Sequence, residues 1–227
     1  MHGGGKMPNK KMSMGMSIIL LFIIASSLIF LAYCLHRELN RVACVLYIIG
    51  QISAWASLGI ILKHLYTATC RDDLTGLWNR KYLYFKLGDE LRRADVDNVL
   101  SLAILDIDNF KSVNDERGHL FGDAVLKQVA LLLQKNIRKD DIIGRWGGEE
   151  FIIILPDTEN NGAKSVCERI RYVIGSYDFG CSITISVGLA STDRSIQIDE
   201  LIEKADKALY LAKETKNTVA ICSFPSE

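Results

Sequence analysis

Two long apolar runs near the N-terminus constrain this chain more than any other feature. Residues 17–35 (SIILLFIIASSLIFLAYCL) and 42–62 (VACVLYIIGQISAWASLGIIL) contain no Asp, Glu, Lys or Arg. A helix of about 20 apolar residues can span the hydrocarbon core of a bilayer. Only the short segment HRELNR separates the two runs. The sequence therefore predicts a transmembrane helical hairpin over residues 17–62, preceded by a tail at residues 1–16, with both chain ends on one side.

The charges that flank the hairpin indicate its orientation. Three lysines precede the first run, and Lys63 and Arg71 follow the second. Basic residues next to a span favour the cytoplasmic side, although Arg37 and Arg41 in the connecting turn oppose this rule. We expect a cytoplasmic tail and a cytoplasmic C-terminal part. The alternatives are a signal peptide in the first run, for which we find no convincing cleavage site, and a buried hairpin of a soluble protein.

After a connector at residues 63–70, the chain alternates between two hydrophobic periods. The spacing predicts helices over residues 80–94, 121–138, 162–176 and 198–214. Short apolar runs predict strands over residues 99–106, 151–155 and 182–190. This alternation is typical of an α/β domain, here over residues 71–227, in which helices cover one or both faces of a central sheet.

Composition excludes some classes of function. The 27 basic and 27 acidic residues balance, so there is no global cationic field, and we expect no DNA or RNA partner. The six cysteines form no CxxC pair and no zinc-ligand spacing with histidine. We interpret them as reduced residues that mostly contribute to packing.

Two acidic motifs are candidates for chemistry. Asp106 and Asp108 follow an apolar strand at alternate positions, which places both carboxylates on one face and suits a hard cation such as Mg²⁺. Glu149 and Glu150 follow two glycines and precede the apolar strand FIIIL. Glycines at a tight hairpin turn would let the backbone approach a ligand closely. Taken alone, each motif is also compatible with an ordinary turn bearing solvated acids.

The conjunction of motifs is more specific than either one. RWGGEEF, preceded by LDIDNFKSVNDERGHLFGD and DDLTGLWNR, resembles the GGDEF family of diguanylate cyclases over nearly everything after residue 70. The resemblance implies an α/β (α+β) fold like that of nucleotidyl cyclases and the polymerase palm, with a central, mostly antiparallel sheet flanked by helices. It also implies a nucleotidyltransferase that condenses two GTP molecules into cyclic di-GMP and pyrophosphate. The membrane would then be the cell inner membrane.

The family's site residues carry over to matching positions. The resemblance implies metal coordination by Asp106, Glu149 and the backbone carbonyl of Ile107, with two Mg²⁺ ions per site and Mn²⁺ as a substitute. Glu150 would be the supporting acid, and either glutamate could assist deprotonation of the attacking hydroxyl. Substrate contacts are assigned to Phe110, Lys111, Asn114, Asp123, Gly147, Gly148, Lys213 and Lys216.

Three of these assignments have particular alternatives or departures. Asn114 and Asp123 would read guanine, although Asp123 could instead serve the N-terminus of the helix predicted to begin near it. After Lys213 the chain reads KETKNTV, one residue shorter than the family pattern and without its glycine. Lys216 would replace the family arginine as a point charge, which loses bidentate phosphate geometry. His119 flanks the pocket and is kept outside the main site.

The remaining motifs concern regulation. Arg138 and Asp141 precede the GGEEF turn at the spacing of the family's inhibitory product site, although charged residues after an amphipathic helix are often only solvated. DDLTGLWNR, with Asp73 and Arg80, resembles the family's N-terminal wide turn. Each domain would bind one GTP, so activity would require a homodimer held in the membrane. The alternatives are a catalytically silent module that senses GTP or cyclic di-GMP, and a scaffold that only dimerises.

Overall fold

The computed structural model describes residues 24–33, 41–94, 98–193 and 196–222. The chain divides into two compact units, Met1–Leu65 and Tyr66–Glu227. The predicted N-terminal tail at residues 1–16 lies outside the described residues.

The described residues of the first unit form apolar helices. Helix α1 covers Ile24–Tyr33, and helix α2 begins at Arg41 in this unit and ends at Thr69 in the second. Tyr47 joins them, since its hydroxyl donates to the Ser26 carbonyl oxygen at 3.2 Å and its ring stacks on Phe30 with the centroids 3.5 Å apart.

Among the described residues, one segment has the length and apolar composition needed to cross a membrane. This segment is Val45–Leu62 in α2, with a mean hydropathy of 1.9. The described part of α1 has fewer residues than this length, and residues 17–23 and 34–35 of the first predicted span lie outside the described residues. The two-span hairpin therefore stays a prediction.

The second unit is built on one mixed sheet. Its strands are β1 (Trp78–Asn79), β2 (Leu100–Ile107), β3 (Ile142–Gly147), β4 (Glu150–Leu155), β5 (Ile185–Thr192) and β6 (Val219–Ile221). The strand order is β1-β3-β4-β2-β5-β6. The three central pairings are antiparallel, and the two edge pairings, β1 with β3 and β5 with β6, are parallel.

Five helices complete the second unit, and they cover both faces of the sheet. They are α3 (Arg80–Leu91), α4 (Phe110–Arg117), α5 (His119–Lys135), α6 (Asn160–Ser176) and α7 (Ile198–Thr215). Strand β2 is buried on both faces because its residues alternate between two cores. Leu102 and Ile104 pack with α3 and α7, whereas Ala103 and Leu105 pack with α5 and α6. The predicted α/β fold with a helix-flanked sheet is confirmed.

Helix α7 lies unusually close to the sheet. A Cβ on Gly188 of β5 would lie 2.2 Å from the Ala205 carbonyl oxygen and 2.2 Å from the Leu209 nitrogen. Only glycine permits this approach, which seats the helix backbone directly on β5. The charges of α7 suit its dipole, with Asp199 and Glu200 in the first turn and Lys213 in the last. This packing brings Lys213 to the end of β2.

Several boundaries differ from the sequence-based expectation. The helix predicted over residues 121–138 begins at His119 and ends at Lys135. Helix α4 was not predicted because its sequence, FKSVNDER, is polar and buries only Phe110. Strands β1 and β6 have two and three residues, too few to show a period. Their positions are fixed by sheet pairing, which sequence periodicity does not report.

Candidate active site

Asp106 lies at the end of β2, between an acidic and a polar residue of the two neighbouring strands. It pairs with Glu150 of β4 on one side and with Ser186 of β5 on the other. Because directly paired residues of antiparallel strands share a face, Asp106 and Glu150 project to the same side of the sheet. The side chains of Leu102 and Ile104 on that face pack with α3 and α7. Asp106 is 5% exposed.

Lys213 supplies a positive charge to this buried carboxylate. Its Nζ lies 2.8 Å from Asp106 Oδ2. Burial raises the pKa of Asp106 above its ordinary value, Lys213 lowers it, and the charges of Glu149 and Asp108 raise it again. The net effect is a raised pKa, so Lys213 does not fully offset the cost of ionising Asp106 at this buried position.

The two glutamates sit on a hairpin turn between β3 and β4. Gly148 has φ +43°, a left-handed conformation that glycine adopts without strain. The register shifts between Arg145 and Gly147, which marks a bulge just before the turn. The predicted Gly-Gly turn is therefore present, and it places Glu149 and Glu150 beside the end of β2.

Several negatively charged side chains lie near Glu150. Burial raises its pKa above the ordinary value, and the charges of Asp106, Asp206 and Glu149 raise it further, while Lys213 lowers it. Asp106 and Glu150 thus both ionise less readily than exposed acids. Such a concentration of poorly compensated carboxylates is typical of a site that awaits a cation.

This electrostatic arrangement predicts a pH-dependent stability without metal. Because folding raises the pKa of Glu150, the folded state binds its proton more tightly than the unfolded chain, and its ionisation destabilises the fold. Stability should rise as the pH falls from 7 through the folded-state pKa. We expect Glu150→Gln to raise the melting temperature at pH 7 by about 1–3 °C and to flatten this dependence. Thermal melts in EDTA between pH 5 and 8 measure both effects.

Glu159→Gln is the matched control for this melt, since Glu159 is an exposed glutamate before α6. Its melting curve should follow that of the parent at each pH. A lower melting temperature for Glu150→Gln would contradict the prediction.

Asp108 has a structural role that its sequence position did not indicate. Its carboxylate accepts three hydrogen bonds, from Thr184 Oγ1 at 2.6 Å, Ser186 Oγ at 2.7 Å and the Asn217 amide nitrogen at 2.9 Å. These bonds tie the end of β2 to the start of β5 and to the segment after α7. Of the two carboxylates in the DxD motif, Asp106 is therefore the one open to a cation.

The carboxylates of this site suit a divalent cation whose coordination is completed by water and substrate. No group of three or more His, Cys, Asp or Glu side chains in the described part of the chain is arranged as a complete ligand set. Mg²⁺ typically takes only one or two protein carboxylates and completes its octahedron with water and substrate phosphates. Asp106 already holds the Lys213 ammonium at 2.8 Å. The residues therefore fit such an ion, with Glu149 and the Ile107 carbonyl as the other predicted ligands.

The predicted phosphate contacts lie at the start of a helix. Phe110 and Lys111 are the first residues of α4, where backbone N–H groups have no partner within the helix and attract anions. The Phe110 side chain is buried and Lys111 is exposed. The sequence-based helices and strands did not include these residues, and the structure places them at a helix N-terminus.

Lys216 reaches the same helix end from α7. Its Nζ donates to Asn109 Oδ1 at 2.7 Å, and Asn109 is the residue that precedes α4. Both residues have left-handed backbones, with φ +56° and +55°. The family glycine is absent, so Lys216 itself adopts the positive φ. This geometry places its ammonium beside the predicted phosphate contacts.

The predicted guanine contacts lie on two adjacent helices. Asn114 is in α4 and Asp123 in α5, and both are half-buried. Because α5 begins at His119, Asp123 is in the body of the helix, and the alternative that it serves the helix N-terminus is wrong. His119 is exposed at the first position of α5.

The predicted product site lies in the turn between α5 and β3. The Arg138 backbone nitrogen donates to Asp141 Oδ2 at 2.7 Å, and the Asp141 nitrogen donates to the Arg138 carbonyl at 3.3 Å. The Arg138 guanidinium is exposed and has no hydrogen-bond partner among the described residues. Arg169 Nη2 donates to the Asn136 carbonyl at 2.8 Å, which adds a second cation near this turn.

One connection was not predicted from sequence. Arg145 donates to the Gly148 carbonyl from Nε at 2.9 Å and from Nη2 at 2.7 Å. Its Nη1 lies 3.2 Å from Asp72 Oδ1. Asp72 also accepts from the Thr75 nitrogen and hydroxyl at 2.9 and 2.7 Å. The sequence singled out Asp73 in the wide turn, but Asp72 makes these contacts.

The Asn79 side chain connects the wide turn to the end of α2. Asn79 Nδ2 donates to the Thr69 carbonyl at 2.8 Å and to the Arg71 carbonyl at 3.2 Å, and Asn79 Oδ1 accepts from the Tyr82 nitrogen at 3.1 Å. Asn79 thereby caps α3 and fixes the last turn of α2. Arg80, the other residue singled out in this motif, lies 4.5 Å from the Trp146 ring centroid.

Comparison with known proteins agrees with this geometry. Residues 69–218 match the family model described as "Diguanylate cyclase, GGDEF domain". The chain is 43% identical over 148 residues to diguanylate cyclase DgcP of Pseudomonas aeruginosa, covering 63% of this chain and 22% of that protein. It is 36% identical over 169 residues to response regulator PleD of Caulobacter vibrioides, covering 70% of this chain and 37% of that protein.

Solved structures show the same fold. The coiled coil and GGDEF domain of DgcB from Caulobacter crescentus, in complex with c-di-GMP, superimposes with a TM-score of 0.72 at 28% identity, covering 79% of this chain and 99% of that chain. The active GGEEF domain of a diguanylate cyclase from Vibrio cholerae gives a TM-score of 0.59 at 33% identity, with coverage of 65% and 98%. The chain spans well under half the length of the two curated relatives it was compared with.

Proposed function

Because this chain belongs to the GGDEF domain family, we propose that it is a diguanylate cyclase, which condenses two GTP molecules into cyclic di-GMP and releases pyrophosphate. The observation that carries the proposal is the placement of Glu149 and Glu150, on a Gly-Gly turn, beside the ion pair that the buried Asp106 forms with the exposed Lys213. In a catalytically silent module these buried, mutually repelling carboxylates would destabilise the fold without serving a reaction.

The chemistry follows from the charges at the site. Asp106, Glu149 and the Ile107 carbonyl would hold a divalent cation, with Mg²⁺ as the proposed ion and two ions per site. Such a cation neutralises the triphosphate and polarises the α-phosphate. Lys213 stabilises negative charge next to Asp106, and the first turn of α4 together with Lys216 holds the terminal phosphates. Glu150 or Glu149 accepts the proton of the attacking 3′-hydroxyl.

The guanine ring of the substrate would be recognised by side chains with complementary hydrogen-bonding groups. Asp123 can accept hydrogen bonds from guanine N1 and N2, and the Asn114 amide can donate to a guanine acceptor. Neither side chain has a hydrogen-bond or ion-pair partner among the described residues. This free pair supports GTP over ATP as the substrate, because adenine offers the opposite pattern at these positions.

Two GTP molecules require two domains. We propose that the active form is a homodimer with one GTP in each protomer, and that the hairpin over residues 17–62 holds the protomers in the plane of the inner membrane. Support comes from the apolar Val45–Leu62 segment and from the contact of Tyr47 with α1. The tail and the catalytic domain would lie in the cytoplasm. Carbonate extraction of membranes and reporter fusions at both termini test this topology.

The activity is tested with the full chain in nanodiscs. The protein is incubated with GTP and Mg²⁺, and cyclic di-GMP is followed by chromatography beside a Glu149→Ala control of matched dimer content. Product from the parent alone supports the cyclase. No product from either protein, with cyclic di-GMP still bound, would replace the cyclase with a receptor module.

Product inhibition predicts a distinct phenotype for the Arg138 variant. Arg138 offers a planar fork to a phosphate of the product, and Asp141 offers an acceptor to its guanine edge. We expect Arg138→Ala to raise the product concentration that halves the rate by about tenfold and to leave the initial rate unchanged. Initial-rate assays with added cyclic di-GMP measure this shift. The control is Arg92→Ala, at an exposed arginine of the α3 C-cap. Cyclic di-GMP should inhibit this variant as strongly as it inhibits the parent.

A further inference from the structure

The two predicted guanine contacts are joined by a sharp helical corner. Gly118 ends α4 and precedes α5 with φ +84° and ψ 158°. The Gly118 nitrogen donates to the Asn114 carbonyl at 2.8 Å, and the Gly122 nitrogen donates to the Gly118 carbonyl at 3.2 Å. This corner folds the fourth residue before it, Asn114, against the fourth residue after it, Gly122.

The contact between these residues leaves no room for a side chain. A Cβ on Gly122 would lie 1.9 Å from Asn114 Oδ1, 3.0 Å from Asn114 Cγ and 3.2 Å from Phe110 Cζ. Gly122 lies within α5 and has no left-handed backbone. Alanine is the better helix former at such a position. The backbone conformation therefore does not require glycine here, but the close approach of the Asn114 side chain does.

From this contact we infer that Gly122 is a positioning residue for guanine recognition. Its bare backbone seats the Asn114 amide next to Asp123, the following residue in α5, and so sets the preference for guanine over adenine nucleotides. The inference rests on the proposed function. The Asn114 side chain has no hydrogen-bond partner among the described residues, so packing against Gly122 and Phe110 fixes its place.

A methyl group at residue 122 would act through Asn114. The amide oxygen would have to move by more than 1 Å to reach an ordinary contact distance from the new Cβ. Hydrogen bonds weaken steeply with such errors in distance and angle. The predicted triphosphate contacts at Lys213 and Lys216 are separate from this contact, and the start of α4 meets it through the Phe110 ring, whose Cζ would lie 3.2 Å from the new Cβ. The change should therefore weaken base recognition and spare the chemical step.

The test compares Gly122→Ala with the parent as full chains in nanodiscs. We expect the KM for GTP to rise by about tenfold, kcat to change by less than about threefold, and the ratio of GTP to ATP affinity to fall with the KM effect. Gly175→Ala is the matched control, because Gly175 is a glycine near the end of α6 whose Cβ would meet nothing within 4 Å. An unchanged KM and GTP to ATP ratio in Gly122→Ala would overturn the inference.

A double-mutant cycle separates positioning from a general loss of structure. In an Asn114→Ala background, Gly122→Ala should have no further effect on the KM for GTP, since the displaced amide is already absent. An equal loss in both backgrounds would overturn the inference. The proposed function fails in a different way, because the parent itself would then make no cyclic di-GMP. In that case the Kd for a fluorescent GTP analogue replaces the KM as the quantity compared across the cycle.

Discussion

Asp106→Asn is expected to lower the rate of cyclic di-GMP formation by about 10³-fold or more. Asp106 is 5% exposed, pairs with Lys213 at 2.8 Å and is a predicted ligand of the catalytic cation. An amide keeps the shape of the side chain and removes its charge, so both the cation and Lys213 lose their buried counter-charge. Steady-state rates at saturating GTP, measured over a range of Mg²⁺ concentrations, check the expectation.

The same substitution should not cost stability in the absence of metal. Burial and the charges of Glu149 and Asp108 together raise the pKa of Asp106 more than Lys213 lowers it, so its ionised form is less favourable in the folded state than in the unfolded chain. We expect the melting temperature of Asp106→Asn in EDTA to equal or exceed that of the parent. Asp193→Asn, at an exposed position after β5, is the control for an uninvolved aspartate. A variant that retains cyclase activity would refute the role assigned to Asp106.

Local sequence signals predicted most of the candidate site. The apolar run over residues 99–106 predicted a buried strand, and Asp106 and Asp108 at its end predicted a cation site. The pair Gly147 and Gly148 predicted the turn that carries the glutamates. These features are determined within a few residues, by alternation of side chains and by the conformational freedom of glycine. Their mutual approach was implied by the family resemblance, because no local pattern states which strands pair.

Features that depend on distant partners could not be predicted in this way. Arg145 and Asp72 are separated by 73 positions, and nothing in the spacing of either residue indicates the other. Asp108 looked equivalent to Asp106, yet its oxygens accept bonds from Thr184, Ser186 and Asn217. Helix α4 is polar on most of its surface and is stabilised by its junction with α5. In each case tertiary contacts decide what periodicity and motif spacing leave open.

Arg145 connects Asp72 of the wide turn to the turn at Gly147 and Gly148, and this connection predicts the second large effect. Arg145 holds the Gly148 carbonyl through two nitrogens and Asp72 through a third. Burial raises the pKa of Asp72, but its bonds with Thr75 and the charge of Arg145 outweigh burial, and the net shift is downward. Asp72 is therefore ionised at neutral pH, and the stabilisation from its ionised form is lost only as the pH falls through this lowered pKa.

Loss of Arg145 should release the turn that carries Glu149 and Glu150, the proposed catalytic glutamates. We expect Arg145→Ala to lower kcat by about 10–100-fold, with a much smaller change in the KM for GTP, because Asn114 and Asp123 lie outside the link. Arg145→Lys should recover only part of the rate, since one ammonium cannot reproduce the fork that joins Asp72 and Gly148. Asp72→Asn should give a similar but weaker defect. If Asp72→Asn and Arg145→Ala act through one link, their combination should be no worse than Arg145→Ala alone, whereas additive losses in kcat would show that the two residues act separately.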